Sequence, residues 1–343
     1  MRASLIVSLI IIVAVLMAVA YFVIHNAVQG AIGTIKPIGG PYQQQFCVNA
    51  EPSVPSIQFA INAGIKCFRG DIVLNATYIR AVVNITKAGG SYLGILDYDT
   101  VGDRPSPSGC SNGCNWTLNT WNQSVANAIA DYPGVSTWEI WNEPLVQEFS
   151  GGYENGSALN YFNMVKSAST IIKGENPNAT IVCFGGAEVY PISTVSAEYA
   201  FYRQVWDYGA AQYCDAISLH AYSGQYYNFN QNIGGGATLS QGYNFTLGLY
   251  ENLTGKPIWI TETGIASNNF AAGLNFSNQN QADFLIQEMN LFTSHQFVKR
   301  IYWFNLEGIT GYGGDYGLLN ATTRLPKPAW FDFLLFASNS IYK

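Results

Sequence analysis

The chain has 343 residues, of which only 11% are Asp, Glu, Lys or Arg, with 16 basic against 22 acidic side chains and a net charge of −6. Apolar residues make up 48% and aromatics 14%, which excludes intrinsic disorder, since a disordered chain is rich in charge and poor in rings. So few Lys and Arg in an acidic chain argue against nucleic acid as a partner, because phosphate binding needs a basic surface.

In chain order, the first feature is the apolar run of residues 5–24, preceded by Arg2 and free of charge. Twenty residues rising 1.5 Å each give a helix of ~30 Å, the thickness of a bilayer core. Arg2 on the short leading side favours a cytoplasmic N-terminus with the remainder outside. The alternative is a cleaved signal peptide: Ala18-Val19-Ala20 fits the small-x-small cleavage pattern, although cutting there leaves Tyr21-Phe22-Val23-Ile24 as an apolar new terminus. Either way residues 25–343 lie beyond the cytoplasm, on the outer face of the membrane or secreted. Residues 25–33 read as a short linker and 34–343 as one domain.

Two counts agree with export. Asn-x-Ser/Thr sequons stand at Asn75, Asn84, Asn115, Asn122, Asn155, Asn178, Asn244, Asn252, Asn275 and Asn320, a candidate glycan coat that would keep a charge-poor surface soluble. The six cysteines, Cys47, Cys67, Cys110, Cys114, Cys183 and Cys214, form an even set that reads as up to three disulfides. Cys110 with Cys114 would close a small loop. Cys47 with Cys67 and Cys183 with Cys214 would be neighbours if the strands run in sequential order.

From residue 34 onward, Ile/Val/Tyr/Trp-rich stretches alternate with helical periodicity. Expected strands are 34–39, 64–69, 92–97, 137–142, 180–184, 216–220, 257–261 and 300–305. Expected helices are 56–63, 78–88, 120–130, 159–172, 197–208, 243–252, 282–292 and 329–337. Eight such units suggest a (β/α)8 barrel, with an open doubly wound sheet as the rival; no Gly-rich phosphate turn follows the first strand.

In a barrel, function sits at the C-terminal ends of strands. The fourth ends in Trp138-Glu139-Ile140-Trp141-Asn142-Glu143-Pro144 and the seventh in Trp259-Ile260-Thr261-Glu262-Thr263-Gly264. Each sets a Glu among apolar neighbours, and a pair of carboxyl groups is what glycosidic bond cleavage uses: one protonates the leaving oxygen, the other attacks or activates water. Strict alternation places Glu139, Trp141 and Glu143 on one face, making Glu139 a buried carboxylate beneath the site that needs a partner such as Arg69.

Trp-Asn-Glu-Pro on the fourth strand and Thr-Glu-Thr-Gly on the seventh resemble the retaining (β/α)8 glycoside hydrolases, with families 5 and 39 (cellulases, mannanases, xylosidases) nearest in pattern. The resemblance implies Glu143 as acid/base and Glu262 as nucleophile. It also implies Asn142 on the sugar 2-hydroxyl, Tyr222 bonded to the nucleophile and His220 tuning the acid/base. Trp303 would floor the sugar site, often with a cis peptide following, and Arg69 would steady the nucleophile. No His stands at the third strand end, where Asp97, Tyr98 and Asp99 occur instead, a departure from family 5. Loop aromatics Tyr190, Tyr226, Tyr227, Phe229, Tyr312 and Tyr316 could stack on sugar rings.

Other chemistries lack residues. The histidines are His25, His220 and His295 only, with no H-E-x-x-H and no G-x-S-x-G, so neither a metal nor a cofactor is expected. The expected protein is a monomeric, exported glycosidase acting on a polysaccharide, an endoglycanase such as a cellulase or mannanase. Open alternatives are an exo-acting xylosidase-like enzyme, a transglycosylase and an inactive carbohydrate-binding barrel.

Overall fold

The computed structural model describes residues 42–52, 54–102, 116–145, 157–188, 195–224, 226–234, 236–268, 276–308 and 314–340. Among them eight parallel strands close into a barrel in sequence order. They are β1 Gln45–Asn49, β2 Cys67–Asp71, β3 Ser91–Leu96, β4 Thr137–Ile140, β5 Thr180–Glu188, β6 Ala216–Tyr222, β7 Ile258–Gly264 and β8 Val298–Trp303. The helices after them are α1 Ser56–Asn62, α2 Ala76–Lys87, α3 Leu118–Asp131, α4 Ala158–Glu175, α5 Val195–Asp207, α6 Leu239–Thr254, α7 Asn278–Ser294 and α8 Pro328–Ser338. The closed sheet removes the open-sheet alternative.

Helix starts follow from capping chemistry. The Asn75 side chain accepts from the backbone N–H of Thr77 and Tyr78 to open α2. Thr238 with Gln241, and Ser277 with Asn280, form capping boxes for α6 and α7. Each such cap is worth ~1 kcal/mol. In the long loop after β6, Asn232–Gly234 pairs antiparallel with Ala237–Thr238.

The first strand is not where the sequence pattern put it. Residues 34–39 lie outside the described residues, and the barrel begins with Gln45-Phe46-Cys47-Val48-Asn49. The polar ends of that stretch hide a strand whose Phe46 and Val48 join the main core while Cys47 and Asn49 point the other way, into the lumen. There the fill is layered. The lower part is apolar, with Cys47, Cys67, Leu93, Val182, Ala216, Trp259 and Tyr302 as a cluster separate from the main core. One step up, toward the C-terminal ends, the inward residues are Asn49, Arg69, Glu139, Ser218 and Thr261, a polar layer.

Two disulfides join neighbouring segments: Cys47 to Cys67, across β1 and β2, and Cys183 on β5 to Cys214 just before β6. Cys110 and Cys114 lie outside the described residues. So do the apolar run 5–24 and the sequons at Asn115, Asn155 and Asn275. Among the described residues no helix is long and apolar enough to cross a membrane. Asn75, Asn84, Asn178, Asn244 and Asn252 are exposed, whereas Asn122 and Asn320 are half-buried.

Candidate active site

Arg69 organises the upper end of the barrel. It is 1% exposed, and its guanidinium, with five fixed donors, spends them on three strand ends. Nε donates to Glu139 Oε2 at 2.5 Å, Nη1 to Glu262 Oε1 at 2.6 Å and to Asn49 Oδ1 at 2.8 Å, and Nη2 to Asn142 Oδ1 at 2.9 Å. Glu139, fully buried, also accepts from Ser218 Oγ at 2.5 Å. A buried ion cluster of this kind is tolerable only because every partner is present. The burial of Arg69 opposes its charge, but Glu139 and Glu262 outweigh that and raise its pKa above the usual value.

The two strand-end glutamates meet across an imidazole. His220 Nδ1 lies 2.6 Å from Glu143 Oε1, and its Nε2 lies 3.6 Å from Glu262 Oε1. Ligand atoms of Glu143, His220 and Glu262 all fall within 4.8 Å of one another. Tyr222 OH donates to Glu262 Oε2 at 2.6 Å, so both oxygens of Glu262 are held. Burial alone would raise the Glu262 pKa, but the charges of His220 and Arg69 and the Tyr222 hydrogen bond outweigh it and lower the value. For His220, burial works against protonation, yet the charge of Glu262 and the bond and charge of Glu143 raise its pKa. Burial, then the charge of Glu262, push the Tyr222 phenol well up, which keeps it a donor.

The backbone that delivers Glu143 is strained. Trp141 and Glu143 both have positive φ, 68° and 46°, a region that costs a non-glycine residue of order 1–3 kcal/mol and clusters at functional sites. This corrects the strict alternation expected after Ile140. Trp141 turns into the outer core against Trp116, Trp121 and Tyr98, while Glu139 stays in the lumen. The opposing strand makes room: Glu143 N donates to Gly185 O at 2.5 Å, and Gly186 has φ 82° and backs directly onto His220. A Cβ at Gly186 would clash with the His220 ring.

Trp303 is fully buried and donates through Nε1 to Tyr316 O at 3.0 Å. The half-buried ring at that strand end is the next residue, Phe304, which precedes a cis peptide to Asn305. Phe304, Tyr222 and Tyr316 form an edge-packed trio with centroids 5.7–6.1 Å apart. Of the other loop aromatics, Tyr227 is exposed against Phe276, Tyr226 is half-buried, Phe229 is buried, and Tyr190 and Tyr312 lie outside the described residues. Asp97 serves the backbone: it caps the one-turn helix Tyr98–Val101 by accepting from Asp99 N at 2.9 Å. Asp71, Asp97 and Asp99 also gather within 4.8 Å. The residues that sequence reasoning missed here are Asn49, Ser218, Gly185, Gly186 and Phe304; only the Gly185-Gly186 pair left a visible mark, as adjacent glycines inside a strand pattern.

Arg69→Met tests the electrostatics. It leaves Glu139 and Glu262 without their cation, so the expected cost in folding stability is about 3–5 kcal/mol, read by denaturant melts. The sign for Glu262 follows from its lowered pKa. Its stabilising contribution is present above the ordinary carboxylate value and is lost as pH falls through the depressed one. Without Arg69 that depression shrinks, so the acid limb of kcat/KM moves to higher pH. An unmoved limb refutes the role of Arg69 in keeping Glu262 ionised.

The pattern of the glycosyl hydrolase catalytic core matches residues 165–327. No curated protein matches the chain in sequence. Solved structures share the fold. A glucosidase from Croceicoccus marinus superposes with a TM-score of 0.62 at 12% identity, over 88% of this chain and 67% of that one. A fungal β-1,4-galactanase gives 0.60 at 15%, over 86% and 99%. A GH128 (subgroup I) endo-β-1,3-glucanase from Amycolatopsis mediterranei, solved as a mutant with laminarihexaose, gives 0.55 at 16%, over 85% and 98%. The match to the glycosyl hydrolase catalytic core over residues 165–327 and the closed eight-stranded barrel are what this chain shares with those enzymes.

Proposed function

We propose that the protein is a retaining β-glycosidase that cuts polysaccharide chains internally, with Glu262 as nucleophile and Glu143 as acid/base. The observation that carries the mechanism is that Glu143 and Glu262 flank one imidazole, with oxygens 2.6 and 3.6 Å from the two ring nitrogens of His220. Retaining enzymes hold their carboxyl groups ~5–5.5 Å apart, whereas inverting ones need ~6.5–9.5 Å to admit a water between them. Convergence of both carboxylates on one cleft also speaks against an inactive binding barrel.

In the first step Glu262 attacks the anomeric carbon, the bond to the leaving oxygen breaks, and Glu143 gives that oxygen its proton. In the second, water attacks the glycosyl-enzyme, Glu143 takes the water's proton, and Glu262 leaves as carboxylate. Arg69 and Tyr222, one on each oxygen of Glu262, hold the nucleophile in one orientation and stabilise it as it leaves. Asn142 gives its carbonyl oxygen to Arg69, which turns its NH2 group toward the sugar 2-hydroxyl. Phe304 and Tyr316 supply rings near the sugar. The lowered pKa of Glu262 suits work in acid surroundings.

The likeness in fold to an endo-β-1,3-glucanase and a β-1,4-galactanase supports a β-linked glycan as substrate. Residues 1–24 would tether the domain outside the cell or be removed on export, and the Cys47–Cys67 and Cys183–Cys214 bridges suit an oxidising compartment. The test is a screen of β-1,3-glucan, β-1,4-galactan, cellulose and mannan, followed by NMR of the first anomer formed from the best substrate. The β-anomer is expected first. The α-anomer first means inversion, and inactivity on every β-glycan overturns the assignment.

A further inference from the structure

We propose that the opposite, N-terminal mouth of the barrel binds a small oxyanion, a sulfate or phosphate group either free or as a sugar ester. The first strand residues frame a cavity of about 210 Å³, lined by Gln45, Thr180, Asp215, Trp259, Lys299 and Arg300 among others. It opens to solvent, so a tetrahedral anion can enter with a substituent projecting outward.

The two arginines of the lumen differ in their partners. Arg69, at the catalytic end, is saturated by two carboxylates and two amide oxygens. Arg300, at the lower end, has no carboxylate partner among the described residues. Its place is nevertheless fixed. In register it sits between Gln45 of β1 and Trp259 of β7. Its guanidinium carbon lies 4.1 Å from the centroid of the Trp259 ring, and Nη1 donates to Tyr302 OH at 3.5 Å. A guanidinium held over an indole, with one long bond to a phenol, still has N–H groups to spend, and that fork matches the oxygens of a phosphate or sulfate.

The surrounding charge points the same way. Asp215, the carboxylate on the rim, is already taken by Lys173 Nζ at 2.8 Å and by the backbone N–H of Ile181 at 2.9 Å. Lys173, Lys299 and Arg300 therefore face one carboxylate, an excess of two positive charges in a chain whose net charge is −6. Gln45 and Thr180 add neutral donors at the mouth. The apolar layer of Cys47, Cys67, Leu93, Val182, Ala216, Trp259 and Tyr302 separates this site from the polar layer around Arg69, so binding here is expected to leave turnover alone.

Titration calorimetry on the full chain at constant ionic strength tests the site, with sodium sulfate, sodium phosphate and glucose 6-sulfate as probes. Wild type is expected to give saturable binding, and Arg300→Gln to bind at least tenfold more weakly. Because Arg300→Gln also removes the Trp259 stack, Lys299→Gln serves as a second variant that leaves that packing intact. It too is expected to bind more weakly, with kcat on the best glycan unchanged in both. Sulfate raises melting temperature generally by exclusion from protein surfaces, so only a saturable rise that the variants lack counts as support. Tighter binding of glucose 6-sulfate than of inorganic sulfate assigns the site to an ester, and equal binding assigns it to the free anion. Absence of saturable binding in wild type, or wild-type affinity in both variants, overturns the proposal.

Discussion

Glu262→Ala removes turnover, by on the order of 10⁶ in kcat on the scale of nucleophile deletions in other covalent enzymes, and azide restores part of it. The truncation takes away the atom that bonds to the anomeric carbon but leaves the acid, Glu143, and the cleft in place. A small anion can then enter the vacated space and attack the face that Glu262 attacked. One displacement inverts the anomeric centre, so the rescued product is the α-glycosyl azide. The variant is expected to stay folded, because Arg69 keeps Glu139 at 2.5 Å and Asn49 at 2.8 Å and so does not become an uncompensated buried cation. Turnover within tenfold of wild type would remove Glu262 from the mechanism. Rescue giving the β-azide would place the nucleophile elsewhere.

The residues that were legible in the sequence are those whose chemistry forces their type at a strand end. Glu143 and Glu262 belong to two short patterns three βα units apart, and the structure brings them to one imidazole. Arg69 and Glu139 could be matched because a buried carboxylate needs a cation and strand alternation put both in the lumen. Alternation failed at Trp141, where a positive φ breaks the two-residue period that the argument relied on. The cis bond expected after Trp303 falls one residue later, between Phe304 and Asn305. β1 was hidden because its lumen residues, Cys47 and Asn49, are a disulfide partner and an amide rather than the apolar side chains that mark a strand. The lower mouth was invisible for another reason: Arg300 and Trp259 lie 41 positions apart and become neighbours only through the pairing of β7 with β8.

Glu143→Ala separates the two steps of the reaction, and its size depends on the substrate. A natural glycan leaves as a poorly stabilised alkoxide and needs a proton, so kcat/KM should fall by roughly 10²–10⁴. A dinitrophenyl β-glycoside leaves as a stable phenolate, and its first step should be nearly unaffected. Hydrolysis of the glycosyl-enzyme then lacks a base, so intermediate accumulates and a burst of phenolate precedes a slow steady state. Azide needs no base and should speed that steady state, releasing the β-azide, the opposite anomer from the Glu262→Ala product. The pH profile gives a further reading of the same contacts. His220 owes part of its raised pKa to the 2.6 Å bond and the charge of Glu143; without them burial weighs more, and its pKa falls. A raised value stabilises the fold fully below the ordinary histidine value, and that contribution is lost as pH rises through the folded value. The variant should therefore lose the share of the alkaline stability change that His220 owes to Glu143, while the share owed to Glu262 remains, seen as a flatter melting profile above the ordinary histidine value. Equal losses on the glycan and the dinitrophenyl glycoside, with no burst, would show that Glu143 orders the cleft and transfers no proton.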